Sequence, residues 1–168
     1  IRKNSKKKYD QSGLIAKSGK TDQLILNQAL DNFSIVNSYD KSLDIKDFDI
    51  SFAKGLSLED GAATVTDFTA KLIANGMEYV HGKNQPLNYK WLVCGGGRKN
   101  KYLLDSIKIN FDQIYLDPIE KYGEDGDFIE SQAFAFLAIR SFLKMPISFP
   151  STTRCKKSST GGIVVENF

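Results

Sequence analysis

One stretch constrains this chain more than any other: an apolar run that breaks into three glycines. The run from Tyr89 to Cys94 ends in Gly95-Gly96-Gly97, and a helical pattern follows from about Lys99 to Ile109. This order predicts a buried strand, a tight backbone turn and a helix N-terminus. Glycines let backbone amides approach a ligand closely, and a helix N-terminus favours anions such as phosphate. Two readings are open on the residues alone. The turn lies against a nucleotide, or it is a strand-to-helix loop whose glycines serve geometry only, because a short glycine run carries little specificity. Downstream, Gln113 to Pro118 reads as a second short strand that stops at proline. Strand, helix and strand within about 30 residues form a parallel crossover. Ligands in such sheets sit beyond the carboxyl ends of the strands, which puts Gly95, Gly96, Gly97 and Asp117 along one edge.

Composition narrows the function classes. A length of 168 residues suits one domain, and 41% apolar residues suffice for a core. A net charge of +3 does not argue for nucleic acid, which calls for a concentrated basic face. The cluster Lys3, Lys6, Lys7 and Lys8 lacks interleaved aromatics and reads as a solvated helix end. Cys94 and Cys155 have neither metal-ligand nor disulfide spacing, and Cys94, closing a core strand, reads as a buried small apolar residue. No apolar run approaches the roughly 20 residues that span a bilayer, no signal peptide is visible, and the cytoplasm is the default compartment. The chain opens at Ile1 rather than at methionine, which suggests a piece of something longer.

Elsewhere the readings are structural. Gly13 to Thr21 resembles a P-loop, but five residues rather than four separate Gly13 from Gly19-Lys20, and no buried strand precedes it. It reads as a turn into a helix with Ser18 or Thr21 near the N-cap and Leu24, Ile25, Leu26 and Leu30 on the apolar face. Residues 31 to 58 read as a solvated connection without calcium-loop spacing. Ser57 and Asp60 form a near capping box. The helix they open presents Ala62, Val65, Phe68, Leu72 and Ile73 on one face, with Thr64, Thr66 and Asp67 elsewhere, and stops near Asn75-Gly76. His81 then falls in a polar loop. Phe128 to Lys144 reads as a long helix with an acidic first turn, apolar over much of its circumference and therefore central in the packing. Glu130 in that first turn either complements the helix dipole or faces a cleft to bind hydroxyls. Gly161 to Val165 reads as a short strand.

Several of these stretches together resemble one family. Trp91 to Asn100 is similar to the "VCGGGxxN" segment of anhydro-N-acetylmuramic acid kinases, and Phe128 to Ala138 looks like their "xxEAQAFAWLA" helix. Asp10 to Lys20 resembles "YDxxGxxAxSGK", Ser42-Leu43-Asp44 with Asp47-Phe48-Asp49 matches "KSTxxxxF" more loosely, and Met145 to Thr153 with Gly161-Gly162 matches the family's C-terminus. The resemblance implies an α/β fold, an incomplete C-terminal ribonuclease-H-like lobe of the actin, sugar kinase and Hsp70 superfamily, formed by residues 1–168 as a single partial lobe. It implies hydrolytic opening of the 1,6-anhydro ring of anhydro-N-acetylmuramic acid with phosphorylation at O6, using ATP and Mg2+, in bacterial cell-wall recycling. It places Gly95, Gly96, Gly97 and Asn100 against the nucleotide and Glu130 against the sugar. A homodimer of the complete enzyme is within what the resemblance allows.

The resemblance is confined to the C-terminal half. The family's phosphate loop "GTSxDGxD" and its "FDTGPGN" segment, which carries the aspartate expected to activate water, have no counterpart in these residues. Arg98 stands where the family usually has a small residue, and Thr160 and Val164-Val165 depart from the usual ending. No catalytic residue and no metal ligand is therefore expected in this chain, and the N-terminal lobe is the implied partner, without which the chain is expected to be inactive and marginally stable. The alternative is a non-catalytic α/β binding module, or a split-gene remnant, that keeps the glycine turn as structure.

Overall fold

The computed structural model describes residues 1–2, 4–33, 45–83, 90–111 and 115–165. Helices α1 (Leu14–Ser18), α2 (Gln23–Asn32) and α3 (Leu58–Lys83) precede strand β1 (Lys90–Val93). Helix α4 (Lys101–Asn110), strand β2 (Tyr115–Pro118) and helices α5 (Ile129–Phe142) and α6 (Pro150–Thr153) follow. β1 and β2 pair in parallel, with Trp91 opposite Leu116 and Leu92 opposite Asp117, and α4 crosses between them. The mixed helix and parallel-strand architecture read from the sequence is thus present. Tyr89, Gln113 and Ile114 of the expected strands lie outside the described residues, as do Lys3 and Ser42-Leu43-Asp44.

The spine is α3. Ser57 caps it as the sequence predicts, its Oγ accepting from Asp60 N–H at 3.0 Å. The helix does not stop at Asn75-Gly76 but runs through Gly76 and His81 to Lys83. An interior glycine costs a helix only about 1 kcal/mol, and packing against its neighbours outweighs that. Among the described side chains of α3 the buried ones are Ala63, Thr64, Phe68, Ala70, Ala74 and Met77, whereas Ile73, expected on the buried face, is exposed. The difference arises because α3 is packed on two sides. One cluster joins Ala70 and Met77 to Ile107 and Leu116, with Trp91, Val93, Leu103, Leu104 and Phe111 around them. The other joins Phe68 to Leu26 and Ala29, with Leu30, Phe33, Phe52 and Leu72.

Polar side chains that the helical pattern assigned to other faces fasten α3 to its neighbours. Thr64, fully buried, donates to Asp60 O and accepts from Asp22 N–H at 3.1 Å. Asp67 accepts from Thr21 Oγ1, from Ser106 Oγ at 2.6 Å and from Tyr102 OH at 3.3 Å. Burial pushes the Tyr102 hydroxyl up. The N-cap of α2 is Asp22, whose Oδ1 accepts from Ile25 N–H, rather than Ser18 or Thr21. Leu26 and Ala29 are its buried residues, and Leu24 is exposed.

Three further expectations are corrected. Residues 4–10 form turns rather than a helix end. α5 is not a central helix: none of its residues is buried, with Phe134 65% and Phe142 67% exposed. Gly161 to Val165 form no strand. An isolated antiparallel bridge joins Ser148 to Ser159 instead, and Ile163 is 92% exposed.

Replacing Asp67 with Ala removes the shared acceptor of three hydroxyls, of which that of buried Ser106, left without its partner, costs about 1–3 kcal/mol. Urea unfolding of Asp67→Ala is expected to show a loss of at least that size, and an unchanged midpoint would refute it.

Candidate functional site

The carboxyl end of β1 leads into the glycine turn. β1 is not the buried strand its apolar run suggests: with a partner strand on one edge only among the described residues, Lys90 and Leu92 are exposed and Trp91 and Val93 half-buried, and Cys94 at its end is exposed rather than buried. Gly95 takes φ 72° and ψ −179°, a conformation that disfavours any side chain. Its N–H donates to Gly126 O at 2.9 Å, so the turn is pinned to the loop that precedes α5. Gly96–Lys99 then form a single 3-10 turn, in which Asn100 N–H donates to Gly97 O at 3.0 Å. Asn100 ends the turn and begins α4, its Oδ1 accepting from Leu103 N–H at 3.0 Å.

The three glycines are not equivalent. Gly95 is required by backbone conformation. Gly96 is not: its φ lies outside the left-handed region, and a Cβ added to it would meet nothing within 4 Å. A Cβ on Gly97 would reach only Leu103, at an ordinary 3.8 Å. The turn therefore offers an open surface free of side chains at Gly96. The first N–H groups of a helical turn have no acceptor within it, so this surface suits close approach of a ligand oxygen to backbone.

The segment that resembles a P-loop has a different place. Asp10 caps α1 by accepting from Ile15 and Ala16 N–H, at 2.8 and 3.0 Å. Gly13 (φ 73°) packs against the start of α4, where a Cβ would run into Asn100 Oδ1 and Tyr102 Cβ. Gly19 packs equally tightly on the backbone of Glu59 and Asp60. These glycines are buttresses that set α4 and α3 beneath the turn.

Charge is dense around the turn, and it is paired. Arg98 joins Glu120 and Asp127, and Lys99 Nζ lies 2.5 Å from Asp127 Oδ2. Arg98 and then Lys99 hold the Asp127 carboxyl down at about 2, and Arg98 lowers Glu120 as well. Asp117, at the carboxyl end of β2, is lowered by Lys121 and contacted by Tyr122 OH at 3.4 Å. The structure thus brings Gly95, Gly96, Gly97 and Asn100 together at the end of β1, and places exposed Glu130 in the first turn of α5, three residues beyond Asp127. Sequence reasoning missed the Arg98, Glu120 and Asp127 set. Its only signal was an arginine inside a glycine turn and an acidic run at 124–127, separated by more than twenty residues.

No group of three or more His, Cys, Asp or Glu suited to a metal ion occurs among the described residues. No described helix is long and apolar enough to cross a membrane.

Because the folded Asp127 value lies below its ordinary 3.8, its pairing contributes stability above about pH 4 that is lost as pH falls through about 2. The stability difference between the parent chain and Asp127→Asn is expected to be constant from pH 7 to 5 and to shrink below pH 4. A difference that persists undiminished at pH 2 would contradict the pairing.

Comparison with known proteins gives the geometry a family. The model of the anhydro-N-acetylmuramic acid kinase family matches residues 1–167. An anhydro-N-acetylmuramic acid kinase of Pelagibacter ubique is 52% identical over 100% of this chain and 45% of its own length. Those of Rhodospirillum rubrum and Rhizorhabdus wittichii are 37% and 40% identical, over 91% and 92% of this chain and 40% and 41% of theirs. The chain therefore spans less than half the length of the curated relatives it matches. Within that span the agreement is continuous, and the chain belongs to the anhydro-N-acetylmuramic acid kinase family.

Proposed function

We propose that this chain is the carboxyl-terminal part of an ATP-dependent anhydro-N-acetylmuramic acid kinase, which opens the 1,6-anhydro ring with water and phosphorylates O6 in the cytoplasm, in cell-wall recycling. Its fold is then a partial ribonuclease-H-like lobe, one domain over residues 1–168. The observation that carries the reading is the open, side-chain-free surface at Gly96, at the carboxyl end of a parallel strand, where neither backbone conformation nor packing calls for glycine. Family membership supports it independently.

In this reading the ATP phosphates approach the backbone of Gly95, Gly96 and Gly97. The fit rests on that open surface. Asn100 contributes through its Nδ2, since its Oδ1 caps α4. Glu130 accepts from sugar hydroxyls. ATP would supply the phosphoryl group and Mg2+ would neutralise its charge, but we assign no metal ligand and no catalytic group to this chain. Phosphoryl transfer needs a metal, phosphate donors and a positioned nucleophile, and the turn provides only a part of that set. The remainder of the relatives' length is the partner that supplies the rest. It also covers the apolar face of α5, where Phe134, Phe136, Ile139 and Phe142 are exposed. A non-catalytic binding module is the second reading. Its support is that Arg98 and Lys99, the cations of the turn, are both paired within the chain.

Gly96→Val separates the two. The open space lets the fold accept valine, so the melting temperature is expected to stay within a few degrees of the parent, while the branched side chain blocks the surface and abolishes ATP binding, measured by calorimetry in the chain complemented with the amino-terminal part of a relative. Unchanged ATP affinity would remove the turn from the nucleotide site.

A further inference from the structure

The Arg98 side chain is only 7% exposed although it belongs to a surface turn. Its Nε donates to Glu120 Oε1 at 2.5 Å, and its Nη1 donates to Asp127 Oδ1 at 2.7 Å and to Gly95 O at 2.8 Å. Its Nη2 lies 3.8 Å from Asp125 Oδ1. One planar group therefore ties together the segment after β2, the loop before α5 and the first glycine of the turn. The backbone closes the same ring, since Gly95 N–H donates to Gly126 O. Gly126 is fitted to this arrangement, because a Cβ there would sit 2.5 Å from Arg98 Nε.

We propose that Arg98 is a positioning residue that locks the glycine turn in the conformation that receives the nucleotide, an inference that rests on the nucleotide reading of the turn. The guanidinium does not serve as a phosphate ligand. Three of its five N–H donors are held by two carboxylates and a carbonyl, its Nη2 faces a third carboxylate, and the side chain is only 7% exposed, so an arriving phosphate would meet a closed face lined with acids. Arg98 acts instead through shape: it fixes Gly95 from its carbonyl side while Gly126 fixes it from its N–H side. The task needs a fork. Arginine presents five donors in a rigid plane, whereas lysine offers one compact ammonium on a flexible stem. Lysine at 98 keeps the charge and reaches one acceptor at a time. The distinction separates positioning from simple neutralisation of the acidic loop.

The test uses Arg98→Lys and Arg98→Ala, reading amide hydrogen exchange of the nitrogen-15-labelled chain by NMR and ATP affinity by calorimetry in the chain complemented with the amino-terminal part of a relative. Arg98→Lys is expected to speed exchange of the Gly95 amide by about tenfold or more and to weaken ATP binding by a similar factor, leaving the amides of Leu26 and Phe68 as protected as before. Arg98→Ala is expected to do the same or more. Exchange and affinity in Arg98→Lys equal to the parent would overturn the proposal, and so would acceleration spread evenly over the whole chain, which marks a merely structural role. If the complemented parent binds no ATP while Gly95 exchange still responds to Arg98→Lys, the nucleotide reading fails and the locking of the turn by Arg98 is supported.

Discussion

Close approach of neighbours to two sides of α3 is the constraint on which the rest of this structure depends. Ala63, Ala70 and Ala74 keep its surface low, and Gly19 lets the backbone of the α1–α2 segment lie directly on it. Thr64 and Asp67 then bind α2 and α4 to the same helix through hydroxyl and amide hydrogens. Polar groups in a packed interface stabilise only when they are satisfied, and here buried Thr64 and half-buried Asp67 each serve more than one partner. α4 thereby acquires a fixed position, and its N-terminus is where the glycine turn must end.

The turn is consequently held from below and from the side. From below, Gly13 packs against Asn100 and Tyr102. From the side, the loop before α5 reaches it through Gly126 and the carboxylates around Arg98. What stays open is the surface at Gly96. The three glycines thus differ physically: backbone conformation calls for glycine at Gly95, Gly96 leaves its surface open, and at Gly97 a Cβ would make only ordinary contact with Leu103. Electrostatics work the same way. The cations of the turn are spent on internal carboxylates, so an anion at the open surface would meet backbone dipoles rather than a free ammonium or guanidinium.

The legible parts of the fold were those encoded locally. The strand, turn and helix from Trp91 onward, its parallel partner ending at Pro118 and the Ser57 cap depend on neighbours within a few residues, and each is present. The length of α3 was not legible, because Asn75-Gly76 is a helix stop only when nothing packs across it. Nor was the burial of Thr64 or the three-way bonding of half-buried Asp67, since a one-sided apolar pattern does not anticipate a helix enclosed on two sides. α5 misled in the opposite direction: its apolar residues, Phe134 and Phe142 among them, signal burial, yet they lie open in a chain that spans under half of its relatives' length. The partners of Arg98 were hidden by distance in the sequence, Glu120 and Asp127 lying more than twenty residues away.

In the proposed function this chain carries one part of a kinase site that the rest of the family's length completes. The most direct measurement is ATP-dependent phosphorylation of anhydro-N-acetylmuramic acid by the chain alone, and by the chain mixed with the complementary amino-terminal part of a relative. Product is expected only in the mixture. Product from the chain alone would contradict the division of the site, and a folded chain that stays inactive in both would contradict the kinase reading itself.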